Sequence, residues 1–191
     1  MIEKLIDTFT AYYPLSKEMT DQIIAVTTVK DYPKRSILLK EGQVANYACF
    51  VLKGLARAYY MSDGKEITGR FMDEGFMITS WLSFYTRKPG YEIIETLEDS
   101  TLACIHYNDI QQLYTTIPEF NIIGRKLTEY YFYLSEQRTQ MLRKHTAEEK
   151  YQFFLKQHPD LLQRTSLRNI STYLGMNEET LSRVRAKAAK K

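Results

Sequence analysis

Residues 167–185 leave the fewest folds open to this chain. Leu167, Ile170 and Leu174 recur at helical spacing and share one face. Gly175 interrupts the pattern where the chain must turn sharply, since glycine reaches positive φ without a Cβ clash. Asn177 is a good N-cap, and Glu178 and Glu179 suit the positive end of a new helix. Leu181 and Val184 give that second helix a buried side. Two helices joined by a tight glycine turn make a helix-turn-helix, a motif whose second helix enters the DNA major groove.

Spacing of this kind also arises in ordinary amphipathic helix pairs, so charge is the useful second test. Residues 164–191 hold seven bases (Arg164, Arg168, Arg183, Arg185, Lys187, Lys190, Lys191) against two acids, Glu178 and Glu179. That is a net +5 in a chain that is +3 overall. The positive charge therefore gathers at the end expected to meet phosphates. A basic tail that only aids solubility is the plainer account of the same charges.

The chain has 191 residues, room for one domain and a small second one. At 44% hydrophobic and 26% charged it reads as an ordinary globular protein. No apolar run approaches a membrane span, so no membrane partner is expected. Glu3 and Asp7 interrupt what would be the apolar core of a signal peptide, which points to a cytoplasmic location. Cys49 and Cys104 stand alone in apolar, strand-like runs. Buried thiols in a reducing cytoplasm are the expectation; neither CxxC nor a metal-ligand spacing occurs, so no metal is expected.

Residues 2–30 read as helical, with a stripe of Ile2, Leu5, Ile6 and Phe9 stopped by Pro14, then Met19, Ile23, Ile24 and Val26. Between residues 32 and 106 the texture becomes short β-rich runs: 36–39, 47–52, 55–60, 66–71, 92–97 and 101–106. Asp63-Gly64 between two of them suits a type I′ hairpin turn. Such spacing suggests an antiparallel sandwich or roll. Helical signals resume at Asn108. Thr116-Ile117-Pro118-Glu119 is a capping-box pattern, and beyond it Phe120, Ile123, Leu127, Tyr130, Leu134, Gln137 and Met141 form a seam of about three heptads. The plain account is packing within one chain; the sharper one is a parallel helix pair across a dimer axis, as half-site DNA reading needs. Thr146-Ala147-Glu148-Glu149 opens a further helix bearing Tyr151, Phe154 and Leu155.

This order of parts resembles the Crp/Fnr superfamily of bacterial transcription regulators over nearly the whole length. The matching pieces are Lys40-Glu41-Gly42-Gln43 followed by Phe50-Val51-Leu52-Lys53-Gly54, the Asp63-Gly64-Lys65-Glu66 hairpin, and residues 175–183. The resemblance implies an α+β fold. Residues 1–116 would form an N-terminal antiparallel β-roll (a double-stranded β-helix, jelly-roll-like) with flanking helices. Residues 117–145 would be a dimerisation helix, and residues 146–191 a helix-turn-helix domain. It also implies a homodimer on a pseudo-palindromic double-stranded DNA operator, RNA polymerase as a further partner, and an effector sensed by the roll.

Carried over position by position, Glu178, Glu179 and Arg183 fall on the base-reading face. Arginine donates bidentately to guanine and glutamate accepts from cytosine, while the alternative for Glu179 and Arg183 is a surface i,i+4 pair. Thr180 and Ser182 match hydroxyls near the phosphate backbone, with Arg164, Arg168, Arg185, Lys187 and Lys190 as further backbone contacts. Glu178 stands where cyclic-AMP-responsive members commonly carry arginine, which implies a different operator.

Those members hold the cyclic phosphate with Arg-Ser-Ala after a Gly-Glu pair. Here the equivalent stretch reads Gly90-Tyr91-Glu92, and 76–81 lacks the pair. The effector is therefore unknown, with cyclic AMP disfavoured. The expected pocket is Phe76, Ile78, Trp81, Arg87 and Tyr91, with Arg87 the nearest substitute cation. Only residues 159–166 separate the support helix from the motif, leaving little chain for a β-wing. A catalytic cupin-like roll would need a histidine cluster, and His106 is alone on the roll, so no enzyme and no catalytic residue is expected. The remaining alternative is a roll that binds a cyclic nucleotide or another small molecule with weak or lost DNA binding.

Overall fold

A computed structural model describes residues 2–188. Lys190 lies outside them. Among the described residues there are nine helices and eight strands, divided into two compact units. One comprises Met1–Ala58 and Phe71–Tyr130, the other Tyr59–Arg70 and Tyr131–Lys191.

The first unit opens with helices α1 (Glu3–Tyr12) and α2 (Lys17–Ala25). The first buries Leu5 and Phe9; the second buries Ile23 and is capped by Ser16, whose hydroxyl accepts from the Met19 N–H. Helix then gives way earlier than the sequence reading expects. Strand β1 (Thr27–Tyr32) pairs antiparallel with β8 (Ser100–His106), from Thr27↔Ile105 to Tyr32↔Ser100. Thr27, Thr28 and Val29 are β-branched and prefer extended backbone. β1 has one neighbour, so its alternation of apolar residues is weak and periodicity misses it.

Two four-stranded sheets make the roll. One runs β1-β8-β3-β6, with β3 at Tyr47–Lys53 and β6 at Met77–Ile78. The other runs β2-β7-β4-β5, with β2 at Ile37–Leu39, β4 at Ala56–Ser62, β5 at Lys65–Met72 and β7 at Ile93–Thr96. Their inner residues, among them Phe50, Ile94 and Leu102, form the core together with Leu55 of the β3–β4 turn. All six expected strands are present. The two-residue β6 and the helix that follows, α3 (Trp81–Thr86), are not legible as elements in the sequence. At the hairpin between β4 and β5, Asp63 and Gly64 both have positive φ, 49° and 72°, as a type I′ turn requires.

The cysteines depart from expectation. Cys49 and Cys104 face one another on β3 and β8, Cα atoms 3.9 Å apart, and are joined as a disulfide. Isolated positions 55 residues apart give no sequence sign of pairing, because only the β3–β8 register brings them together.

Helix α4 (Tyr107–Thr116) follows β8 directly, capped by His106, whose Nδ1 accepts from the Asn108 N–H. His106 thus has a capping role. The long helix α5 (Phe120–Lys144) begins against α4: a Cβ at Gly124 would stand 2.3 Å from the Tyr114 hydroxyl. A side chain there would force the Tyr114 ring to move. Burial, and then Tyr85, pushes the Tyr114 phenol up to about 12.

The second unit contains the tip of the β4–β5 hairpin, the later part of α5, and helices α6 (Ala147–Gln157), α7 (Leu161–Arg164), α8 (Leu167–Tyr173) and α9 (Glu178–Ala188). Thr146 and Glu149 form the expected capping box on α6. Tyr151, Phe154, Leu161, Ile170, Leu174, Leu181 and Val184 make its core. Residues between α6 and α8 form the short helix α7, and among the described residues no strand follows β8.

Candidate DNA-reading surface and roll cavity

The α8–α9 pair is built as its residues dictate. The Met176 N–H donates to the Ser171 carbonyl and the Gly175 N–H to the Thr172 carbonyl, with Gly175 at φ 63°. This is a Schellman termination. Asn177 then caps α9, its Oδ1 accepting from the Thr180 N–H at 2.8 Å. Ser171 is 1% exposed, small enough to sit within the packed side of the motif.

Burial of Leu181 and Val184 turns the opposite face of α9 outward. Glu178, Glu179, Ser182 and Arg183 are exposed, and Thr180 is half-buried with its hydroxyl accepting from Arg183 Nη2 at 3.2 Å. Glu179 and Arg183 stand one turn apart on this face, but Arg183 hydrogen-bonds to Thr180. Arg168 is exposed and Arg164 half-buried. Arg185 is half-buried, lining a cleft with Tyr151, Leu155 and Ser182. Lys187 is bound by Glu148 of α6 at 2.8 Å.

A contact that sequence reasoning missed supports α8 from behind. Thr68, fully buried in β5, donates its N–H to Thr172 Oγ1 at 3.2 Å, and its carbonyl lies 3.4 Å from Arg138 Nη2. The Arg138 guanidinium lies 3.9 Å from the Tyr173 ring centre. Desolvation is the largest influence on Arg138 and lowers its pKa, with Tyr173 acting in the opposite sense. A lone arginine in a heptad-like helix gives no signal of such a contact.

The α5 seam is divided. Phe120, Ile123 and Met141 are 4%, 0% and 1% exposed, already covered by the chain itself. Leu127 and Leu134 are half-buried, and Tyr130 is open. The residues most available to a partner are Phe132 and Tyr133, 67% and 55% exposed. Gly124 and Thr128 lie two turns and one turn before Phe132 on the same helix.

In the roll, a cavity of about 390 Å³ is lined by Leu38, Leu39, residues 43–47, Cys49, Ile78, Thr79, Ser80 and Ile94. Of the expected pocket residues only Ile78 lines it. Tyr91 is exposed, and Trp81 stacks on Tyr85 with ring centres 5.8 Å apart. Arg87 is committed elsewhere: Nη1 donates to the Ala45 and Phe84 carbonyls, Nη2 to Asn46 Oδ1, and its plane lies 3.9 Å from the Tyr107 ring centre. The buried Arg57 pairs with Glu95 at 2.6 Å. No lining residue is basic, and Ser80 at the cavity donates to Glu92 at 2.5 Å. Gly90 exchanges backbone hydrogen bonds with Gly42 and Gln43, closing the loop beside the cavity. Among the described residues no group of three or more His, Cys, Asp and Glu side chains is placed to hold a metal ion. No helix among them is long and apolar enough to cross a membrane.

Residues 29–116 match the cyclic nucleotide-binding domain. The sequence matches no curated protein. Solved structures share its fold. FixK2 from Bradyrhizobium japonicum superposes with a TM-score of 0.72 at 23% identity, covering 86% of this chain and 85% of that one. A CooA mutant from Carboxydothermus hydrogenoformans gives 0.69 at 18%, covering 95% and 82%. The c-di-GMP-responsive regulator CLP from Xanthomonas campestris gives 0.67 at 18%, covering 92% of each. With its two-sheet roll, long helix and terminal helix pair, the chain has the fold of the Crp/Fnr-type regulators.

Proposed function

We propose that this chain is a cytoplasmic, homodimeric transcription regulator and not an enzyme, reading a pseudo-palindromic operator through α9, with RNA polymerase as a further partner. The observation that carries the reading is the exposed face of Glu179, Ser182 and Arg183 on a capped helix whose opposite face is buried. Arg183 would donate to guanine, and Glu178 or Glu179 would accept from cytosine. Arg168, Arg164, Thr180 and Arg185 would meet phosphates. Lys187 would do so after leaving Glu148, and Lys190 would add to them from beyond the described residues. Two copies joined through α5 would place their reading helices roughly one DNA turn, about 34 Å, apart.

The roll would sense a ligand of low charge. A cyclic phosphate needs a paired cation or several directed donors when buried. Here both nearby arginines are engaged and Glu92 stands at Ser80. Selection of bound fragments from a random DNA pool, followed by titration at varied salt, tests the reading. Recovery of a two-fold symmetric sequence supports it, and uniform affinity for all fragments overturns it. The engagement of Lys187 by Glu148 favours one second reading, a small-molecule-binding roll with weak DNA binding.

A further inference from the structure

Cys49 and Cys104 are the only two cysteines in the chain, and they are bonded to each other. They stand in the middle of the β3–β8 ladder, which runs from Tyr47↔His106 to Lys53↔Thr101. Cys49 also lines the roll cavity. The pair is 9% and 7% exposed, whereas Phe50, Val51, Leu102 and Ala103 beside them are 0–2% exposed. The cystine therefore lies in the interior of the ladder, slightly less covered than these neighbours and with Cys49 at the cavity wall.

We infer that this cystine is a reversible two-electron switch whose oxidised form favours dimerisation and DNA binding. The inference rests on the proposed function in one respect: a DNA-binding regulator works in a reducing compartment, where disulfides are usually transient and redox-sensing. Hydrogen bonds along the ladder already hold β3 against β8, so losing the covalent link leaves the sheet paired. What changes is local. The sulfurs pass from bonded distance to van der Waals contact, roughly 3.5 Å or more, and the strands must part where Cys49 forms the cavity wall.

The exchange balances as follows. A thiolate of a small dithiol attacks one sulfur, forming a mixed disulfide and releasing the other sulfur as a thiolate, which takes up a proton. The donor's second thiol resolves the mixed disulfide. Two electrons and two protons pass to the protein, and the donor leaves as a disulfide. A low-molecular-weight disulfide reverses the reaction.

The consequence runs through contacts of the first unit. Beyond Cys104, β8 leads into α4 at Tyr107, whose N–H donates to the Asn46 carbonyl at 2.8 Å. Asn46 lies three residues before Cys49, and Arg87 binds Asn46 while stacking on Tyr107. The far end of α4 presents Tyr114 to Phe120 and Gly124 of α5. Pinning β3 to β8 holds α4, and α4 holds the start of the helix proposed to dimerise.

The test uses the full chain equilibrated in mixtures of reduced and oxidised dithiothreitol. Alkylation and mass spectrometry count thiols, sedimentation gives the dimerisation constant, and anisotropy gives affinity for a pool-selected DNA fragment. Oxidised protein should dimerise and bind at least about fivefold more tightly, reversibly. The Cys49→Ala/Cys104→Ala double variant should behave like reduced protein at every ratio. The inference is overturned if the folded chain keeps two thiols in oxidised dithiothreitol, or if its cystine resists the reduced reagent. It is equally overturned if titration leaves both constants unchanged. Should neither redox state bind any fragment, the regulator reading fails separately, and the dimerisation constant alone decides the switch.

Discussion

Replacing Phe132 by glutamate tests the proposed dimer where the monomer has least to lose. Phe132 is 67% exposed, on the side of α5 that the chain leaves open. An aromatic side chain offers roughly 200 Å², so roughly 130 Å² per copy is available to a partner. At about 25 cal/mol per Å² that is about 3 kcal/mol per copy, or about 6–7 kcal/mol in a two-fold dimer. Glutamate removes this and sets two carboxylates near the axis. Each 1.4 kcal/mol is about tenfold in affinity, so the dimer should weaken by about four orders of magnitude or more. The thermal midpoint of dilute protein should hardly move. Ile123→Glu is the contrast, because Ile123 is fully buried and an unpaired charge there should unfold the chain. Sedimentation velocity from nanomolar to micromolar concentrations measures both. A monomeric wild type at micromolar concentration, or an undiminished Phe132→Glu dimer, would refute the reasoning.

On cognate DNA, Arg183→Ala should cost about 1–3 kcal/mol and relax preference at one base pair, whereas Arg168→Ala should weaken all sequences alike and lower the salt slope by about one unit; equal loss on specific and random DNA removes Arg183 from base reading. Gly54→Ala should destabilise by about 2–4 kcal/mol through strain and overpacking, because φ is +102° and the added Cβ would stand 2.7 Å from the Ser100 Cα; calorimetry reads the lowered midpoint. The backbone N–H of Thr146, then its side chain, holds the Glu149 carboxyl below its usual range. A depressed folded pKa stabilises above the unfolded value and is lost as pH falls through the folded one, so the advantage of wild type over Glu149→Gln should be present at neutral pH and vanish in acid. Titration calorimetry with cyclic AMP should show no low-micromolar binding; such binding, abolished by Arg87→Ala, would mean that Arg87 leaves the Ala45 and Phe84 carbonyls to take the phosphate.

What the sequence made legible is local. Six strands, the Asp63-Gly64 turn, the Thr146 capping box and the Gly175 termination each follow from a few adjacent residues whose backbone preferences agree. What escaped depends on distant partners. β1 is a strand because β8 lies beside it, and its own residues alternate too weakly to announce it. The seam of α5 is one continuous pattern in sequence. In space α4 and α1 cover Phe120, through Tyr114 and Phe9, while Tyr130, Phe132 and Tyr133 are exposed.

The roll cavity does not coincide with the pocket that residue type suggests. Phe76, Trp81 and Tyr91 are the residues a ligand would prefer, and Arg87 is the cation nearest in sequence. Yet Arg87 sits at φ 57°, at the C-cap of α3, from where its guanidinium reaches back to the Ala45 carbonyl and Asn46. That return tethers residues 45–46, which form part of the cavity wall. The arginine thus helps shape the cavity, and its guanidinium is held by the Ala45 and Phe84 carbonyls and the Asn46 amide. With Arg57 neutralised by Glu95, Arg57 and Arg87 both have internal partners. A phosphate would have to displace one of those partnerships and tolerate Glu92, whereas an uncharged ligand would meet mainly aliphatic walls with the hydroxyls of Tyr47, Thr79 and Ser80 and the amides of Gln43 and Asn46. On the proposed reading, the ligand preference of this roll would be decided by where two guanidinium groups are tied.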